Sequence, residues 1–296
     1  MLYTLENDCL IVTVDTFGAE IKAVKDKNTG RDYIWCGDSK YWGRTAPVLF
    51  PFVGSCRDNK FSFKGSDYEI KSHGFARDME HSVICNSNTE IWFSLKDTED
   101  TYKKYPFHFE FQNGYKLEGN TVSVMWKVIN PGQNRTDDHL YFSVGAHPAF
   151  VCPLNGEDNK AGYKLFFEGI NEVRHHGNLT GTCTHEDLIL PLENNRVTIT
   201  PEFFDRTTYI VEGKQTGCVG IETPDGSRYI TVRFDTPLFG IWSPEKKNAP
   251  FLCIEPWCGR ADYDDYDGDL TQREYGNTLA KDQIFENTYS ITFGNI

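Results

Sequence analysis

Apolar and polar residues alternate with a period of two along most of the chain. The runs include Phe61/Phe63 and Tyr68/Ile70 around Lys64-Gly65-Ser66-Asp67, then Ile91/Phe93/Leu95 and Phe107/Phe109/Phe111. Val122/Val124/Trp126/Val128, Ile230/Val232/Phe234 and Ile291/Phe293 continue the pattern. Side chains of a strand point alternately to its two faces, so this spacing predicts strands with one face buried. Turn formers separate the runs: Gln112-Asn113-Gly114, Glu118-Gly119-Asn120 and Thr223-Pro224-Asp225-Gly226-Ser227. Their short spacing predicts antiparallel hairpins rather than helical crossovers. Helical signals are confined to 201–205, where Pro201 suits a first turn, and to the polar stretch 270–279. No low-complexity linker, composition shift or fixed-period repeat divides the chain. The expected fold is therefore all-β: a single large antiparallel β-sandwich over residues 1–296.

Composition narrows the function. At 296 residues the chain is long enough to bury a large core without disulfides or metal. Its 43 acidic and 30 basic residues give a net charge of −13, which repels polyphosphate and anionic lipid. Nucleic-acid and membrane-surface roles are disfavoured. The segment Met1-Leu2-Tyr3-Thr4-Leu5-Glu6-Asn7-Asp8 has no basic or apolar leader pattern, and no apolar run reaches the ~18 residues of a bilayer span. The expected location is cytoplasmic. Nine scattered cysteines, from Cys9 to Cys258, read as reduced thiols. Aromatics make up 14% of residues; a thick two-sheet core absorbs that many, a sugar site uses them too, and a count does not separate the two.

Three segments interrupt the alternation with ionisable groups among small or apolar neighbours: 72–77, 144–150 and 253–257. Glu255 follows the apolar run Phe251-Leu252-Cys253-Ile254, where a carboxylate is costly to bury without a task or a partner. Its plain alternative is an edge-strand surface ion pair. His147, between Ala146 and Pro148, is held in extended backbone; it is either a proton-transfer group or a core histidine satisfied by a carbonyl. His73 precedes Gly74, which permits close approach of a ligand or simply a turn. Arg57 and Arg77 are candidates for forking to sugar hydroxyls or a phosphate, against the default of solvated surface arginines. The acidic loop 262–269, with Glu274 beyond it, imitates a calcium loop, but Tyr263 stands at its first ligand position. Cys253 and Cys258 lack the further ligands of a structural zinc site. No nucleophile elbow, P-loop or dinucleotide fingerprint is present, which removes the common hydrolase, NTPase and Rossmann readings and with them a nucleotide cofactor.

In order along the chain stand Gly18-Ala19-Glu20-Ile21, Tyr33-Ile34-Trp35, 46–54 (Ala-Pro-Val-Leu-Phe-Pro-Phe-Val-Gly), His73-Gly74-Phe75-Ala76-Arg77, Gly145-Ala146-His147-Pro148-Ala149-Phe150 and Cys253-Ile254-Glu255-Pro256-Trp257. This series resembles the aldose 1-epimerase (galactose mutarotase) superfamily, more narrowly the bacterial branch associated with lactose-utilisation operons. The resemblance implies a sandwich of large sheets with an open cleft and a metal-free reaction. It implies that Glu255 is the general base and His147 the general acid, with His73, Arg57 and Asp205 on the sugar. The segment His73 to Arg77 is closer to the hexose-6-phosphate 1-epimerase branch, so the implied substrate is an aldohexose, free or 6-phosphorylated. A catalytically silent sugar-binding protein on the same scaffold is the other reading. The expected geometry puts His147 and Glu255 on opposite sides of one cleft, with His73 and Arg57 on its wall.

Overall fold

The computed structural model describes residues 1–132, 138–179, 181–205 and 208–294. Two large antiparallel sheets dominate it. The nine-stranded sheet runs Arg196–Thr198, Lys164–Phe167, Cys218–Glu222, Arg228–Phe234, Ile284–Phe293, Thr121–Ile129, Glu110–Glu118, Glu90–Lys96 and Ser82–Asn86. The other sheet runs Thr182–Pro191, Glu172–Leu179, Tyr209–Glu212, Leu238–Trp242, Phe251–Cys258, Val144–Ala146 and Val48–Leu49, and Ala149–Val151 also pairs with Phe251–Cys258. A three-stranded sheet, Leu2–Glu6, Leu10–Asp15 and Glu20–Asp26, and two smaller pairings complete the described strands.

The alternation read from the sequence does the packing. In Thr121–Ile129, Val122, Val124, Trp126 and Val128 are buried while their neighbours are half-buried. These side chains belong to one apolar cluster that reaches from Leu5 to Phe293 and contains the inward residues of both large sheets. Phe251–Cys258 departs from the pattern, being buried along its whole length. Its inner face, Leu252, Ile254 and Cys258, joins that cluster. Phe251 and Cys253 on the outer face lie under a second layer with Trp35, Trp42 and Trp242. A strand covered on both sides is where a buried polar group can face something other than core.

Local expectations hold unevenly. Lys64 and Gly65, both at positive φ, close the hairpin Lys60–Phe63/Ser66–Glu69 as the pattern predicted. Gln112-Asn113-Gly114 is not a turn; it lies inside Glu110–Glu118. There the Asn113 amide donates to the Ala19 carbonyl at 3.2 Å, and a Cβ on Gly114 would meet the Trp92 ring at 2.5 Å. The two residues serve packing across strands rather than chain reversal. Neither helical expectation becomes an α-helix. Residues 201–204 form turns, Leu270–Gln272 is one 3-10 turn capped by Asp269, and Asn277–Leu279 is a strand. The α-helix among the described residues is Glu99–Lys104, built on a Thr98/Thr101 capping box with acids in its first turn and lysines in its last. Six residues are too few to show apolar periodicity, so its signal lies in the caps alone.

Candidate active site

Glu255 stands mid-strand, opposite Gly240 on one side, with Trp257 two residues on and on the same face. Trp257 lies across both neighbouring strands. A Cβ on Gly240 would come within 2.3 Å of its ring, and one on Gly145 within 2.7 Å. Those two glycines therefore let the indole lie flat beside Glu255. His147 follows Val144–Ala146, which pairs with Val48–Leu49, and its backbone N–H donates to the Pro47 carbonyl at 3.1 Å. Its ring stacks on Trp42 (centroids 4.8 Å apart, 29° between planes) and meets Trp242 edge-on at 5.3 Å. His73, at φ 65°, is fixed by a reciprocal pair: its N–H donates to the Gly54 carbonyl, and the Gly54 N–H donates to His73 Nδ1 at 3.1 Å. That bond puts the ring proton on Nε2.

These groups line a cleft of about 280 Å³, together with Ser72, Arg77 and Asn178. The volume lies just below the roughly 300–1,000 Å³ of drug-sized ligand sites, which limits an occupant to a small molecule. His147 Nε2 lies 3.3 Å from Glu255 Oε2. Neither carboxylate oxygen of Glu255 has a hydrogen-bond partner, although the residue is 1% exposed. Burial pushes the Glu255 carboxyl well above its ordinary range, with the Trp257 indole only partly opposing it. Burial, reinforced by Arg77, drives His147 down to about 3, and burial likewise holds His73 well below its ordinary value. The low-dielectric floor thus favours the uncharged form of the pair.

Several expectations need correction. His147 and Glu255 are side by side rather than across the cleft. The reason lies in the strand pairing: Val144 and Gly145 lie opposite Cys258 and Trp257, and Ala149 lies opposite Cys253, so residue 147 falls beside residue 255 with no room for a ring between them. Arg57 is off the cleft wall. Its N–H donates to Asp262 and its guanidinium donates to the carbonyls of Asp265 and Tyr266, at 3.4 and 3.3 Å. Asp205 also lies outside the lining, accepting from the Lys246 N–H at 3.0 Å. His73 and Arg77 both line the cleft; Arg77 donates to the Ser72 carbonyl at 2.6 Å and keeps a buried, unpartnered Nε. Burial and the neighbouring Arg44 bring its guanidinium down to about 10. Trp42 and Trp242 were not singled out and Trp257 was given no role of its own, because the indoles meet only once the strands bring them together.

Several carboxylates of the acidic loop and beyond are claimed by cationic partners. Asp262 accepts from Arg273 at 2.6 Å, Asp265 from His185 at 2.9 Å, and Glu274 from Arg260 at 2.5 Å. Among the described residues, two groups bring possible metal donors within 4.8 Å of one another: exposed His185, Asp264 and Asp265, and buried His147, Cys253 and Glu255.

Comparison with known proteins shows the fold and the family. A solved structure of a galactose mutarotase related enzyme from Lactobacillus acidophilus superposes with a TM-score of 0.92 at 32% identity, covering 100% of this chain and 98% of that one. A galactose mutarotase-like protein from Lactobacillus casei gives 0.90 at 26% identity, covering 99% and 100%. The chromosomal protein LacX of Lactococcus lactis is 28% identical over 288 residues, 94% of this chain and 92% of its own. The family model for aldose 1-epimerase matches residues 1–264, and the chain belongs to that family.

Proposed function

We propose that the protein is an aldose 1-epimerase that interconverts the α and β anomers of an unphosphorylated aldohexose. The observation that carries this is the His147–Glu255 contact at the floor of a small cleft. Anomer exchange needs the O1–H proton removed while the ring oxygen is protonated. Ring opening frees the aldehyde, rotation about C1–C2 presents its other face, and reclosure with the transfers reversed gives the other anomer. Two adjacent groups holding one transferable proton between them suffice. In the free protein burial leaves both uncharged, with that proton on Glu255. Hydrogen bonds from sugar hydroxyls favour the carboxylate, which moves the proton to His147 and sets the roles of Glu255 as base and His147 as acid. His73 Nε2–H and Arg77 orient the sugar and stabilise charge on its oxygens.

The free sugar is preferred to a 6-phosphate because Arg57 is engaged on the acidic loop and Arg44, the neighbour of Arg77, is paired with Asp78, which leaves Arg77 as the arginine that lines the cleft. Residues 1–296 are read as one working unit, supported by the continuous apolar cluster from Leu5 to Phe293. The location is read as cytoplasmic; no helix among the described residues is long and apolar enough to cross a membrane. Exchange NMR on glucose and glucose 6-phosphate side by side tests the substrate. Faster anomerisation of glucose is expected; a preference for the phosphate, abolished in Arg77→Ala, overturns the choice. No acceleration of any sugar leaves the silent binding protein as the reading.

A further inference from the structure

We propose that the cleft floor is also a binding site for a soft divalent cation, with zinc as its type, held by His147, Cys253 and Glu255. Three observations converge. The donor atoms of the three residues lie within 4.8 Å of one another, and the residues are 7%, 0% and 1% exposed. Cys253 and Glu255 are two apart on one strand and share its outer face, while His147 enters from the neighbouring segment, so the donors come from two rigid elements. Both Glu255 oxygens are buried and neither accepts a well-formed hydrogen bond, so ligation replaces only the 3.3 Å contact between His147 Nε2 and Glu255 Oε2.

The donor set decides the class of ion. One thiolate, one imidazole and one carboxylate suit zinc or a similar transition ion, whereas calcium and magnesium require oxygen ligands. Charge decides whether the ion can be buried. On binding, the Cys253 thiol and the Glu255 carboxyl each release a proton to solvent, and two anionic donors plus a neutral imidazole cancel the dication. The site is uncharged before and after, so no net charge enters the low-dielectric floor. His147 and Glu255 line the cleft, so a fourth ligand such as water or a sugar hydroxyl would approach from there.

The consequence for activity rests on the epimerase reading: the metal takes the lone pairs that would accept the O1–H proton, so zinc inhibits and sugar competes with it. Binding itself is read without activity. In a protein whose exposed thiols are removed by Cys36→Ser and Cys85→Ser, cobalt(II) is expected to give a thiolate-to-metal charge-transfer band that saturates at one equivalent and is displaced by zinc. Cys253→Ala and the bulkier Cys253→Val should each abolish the band. Their zinc inhibition should weaken by at least the roughly 10–100-fold that follows loss of outer-shell partners, while basal anomerisation remains. Two different Cys253 replacements guard against one failing to fold. Absence of the band in the surface-thiol variant, or its survival in both Cys253 variants, overturns the site. A protein with the band and no anomerisation keeps the site and loses the epimerase reading; anomerisation with no band does the reverse.

Discussion

Glu222 and Glu255 are each 1% exposed, and each follows an isoleucine at the end of an apolar run, Val219-Gly220-Ile221 in one case and Leu252-Cys253-Ile254 in the other. Their surroundings are opposite. Glu222 accepts from Arg196 Nε at 2.7 Å and from Arg228 Nη2 at 2.8 Å, with a further bond from each guanidinium. Burial pushes its carboxyl up, but the two arginines outweigh that and hold it below its ordinary value. Glu255 has no such bonds and is left well above. Burial alone is therefore uninformative about purpose. A buried carboxylate with its lone pairs satisfied holds the sheet together, and one with its lone pairs free is poised for a ligand.

The largest test of this contrast is kinetic. Glu255→Gln and His147→Asn are expected to lose about 10²–10⁴-fold in anomerisation of fresh α-D-glucose, followed by polarimetry, whereas Glu222→Gln stays near the parent rate. Equal activity in all three would dissolve the distinction. The same pair sets the pH profile. It works while it holds one transferable proton, so kcat/KM falls on the acid side only towards about 3, where His147 gains a second, and on the alkaline side only through the raised Glu255 value. An acid limb at the ordinary histidine value of 6.5 would contradict the buried environment.

Stability separates the two glutamates next. Glu222→Gln should cost about 2 kcal/mol in urea unfolding at neutral pH, less than a fully buried pair because both arginines are partly exposed. Glu222 contributes stability that is present above its unfolded value of 4.5 and is lost as pH falls through its lower native value. For Glu255 the sign reverses: its contribution is present below 4.5 and is lost as pH rises through its higher native value. Glu255→Gln should therefore match the parent in acid and exceed it by about 1 kcal/mol at alkaline pH; a variant less stable than the parent there would mean that the carboxylate has a structural partner. The smallest expected effect is at Arg57. Its guanidinium lies on the acidic loop, so Arg57→Ala should shift the glucose KM by less than about twofold, the scale of an ordinary surface change. A larger rise would return it to the sugar.

Much of the scaffold was legible because alternation is a direct imprint of a half-buried strand, as in 121–129. It failed where a turn-forming pair served another purpose: Asn113-Gly114 reads as a hairpin but is a hydrogen-bond pin and a recess for Trp92. At the site, His147, Glu255, His73 and Arg77 were recognisable because each interrupts an apolar or small-residue pattern. Arg57 and Asp205 were misplaced because the partners that claim them, Asp265, Tyr266 and Lys246, lie some 40 to 210 positions away in sequence. The closeness of His147 and Glu255 depends on how the segment after Val144–Ala146 crosses Phe251–Cys258, which is tertiary information.

The stack of Trp42 on His147 also makes the molecule its own optical instrument. Three of the six tryptophans, Trp42, Trp242 and Trp257, line the cleft. Indole emission is quenched on contact by a protonated imidazole and shifts when neighbouring water is displaced. Unlabelled sugars can therefore be titrated by intrinsic fluorescence, and the loss of that response in Trp42→Phe identifies the ring that reports.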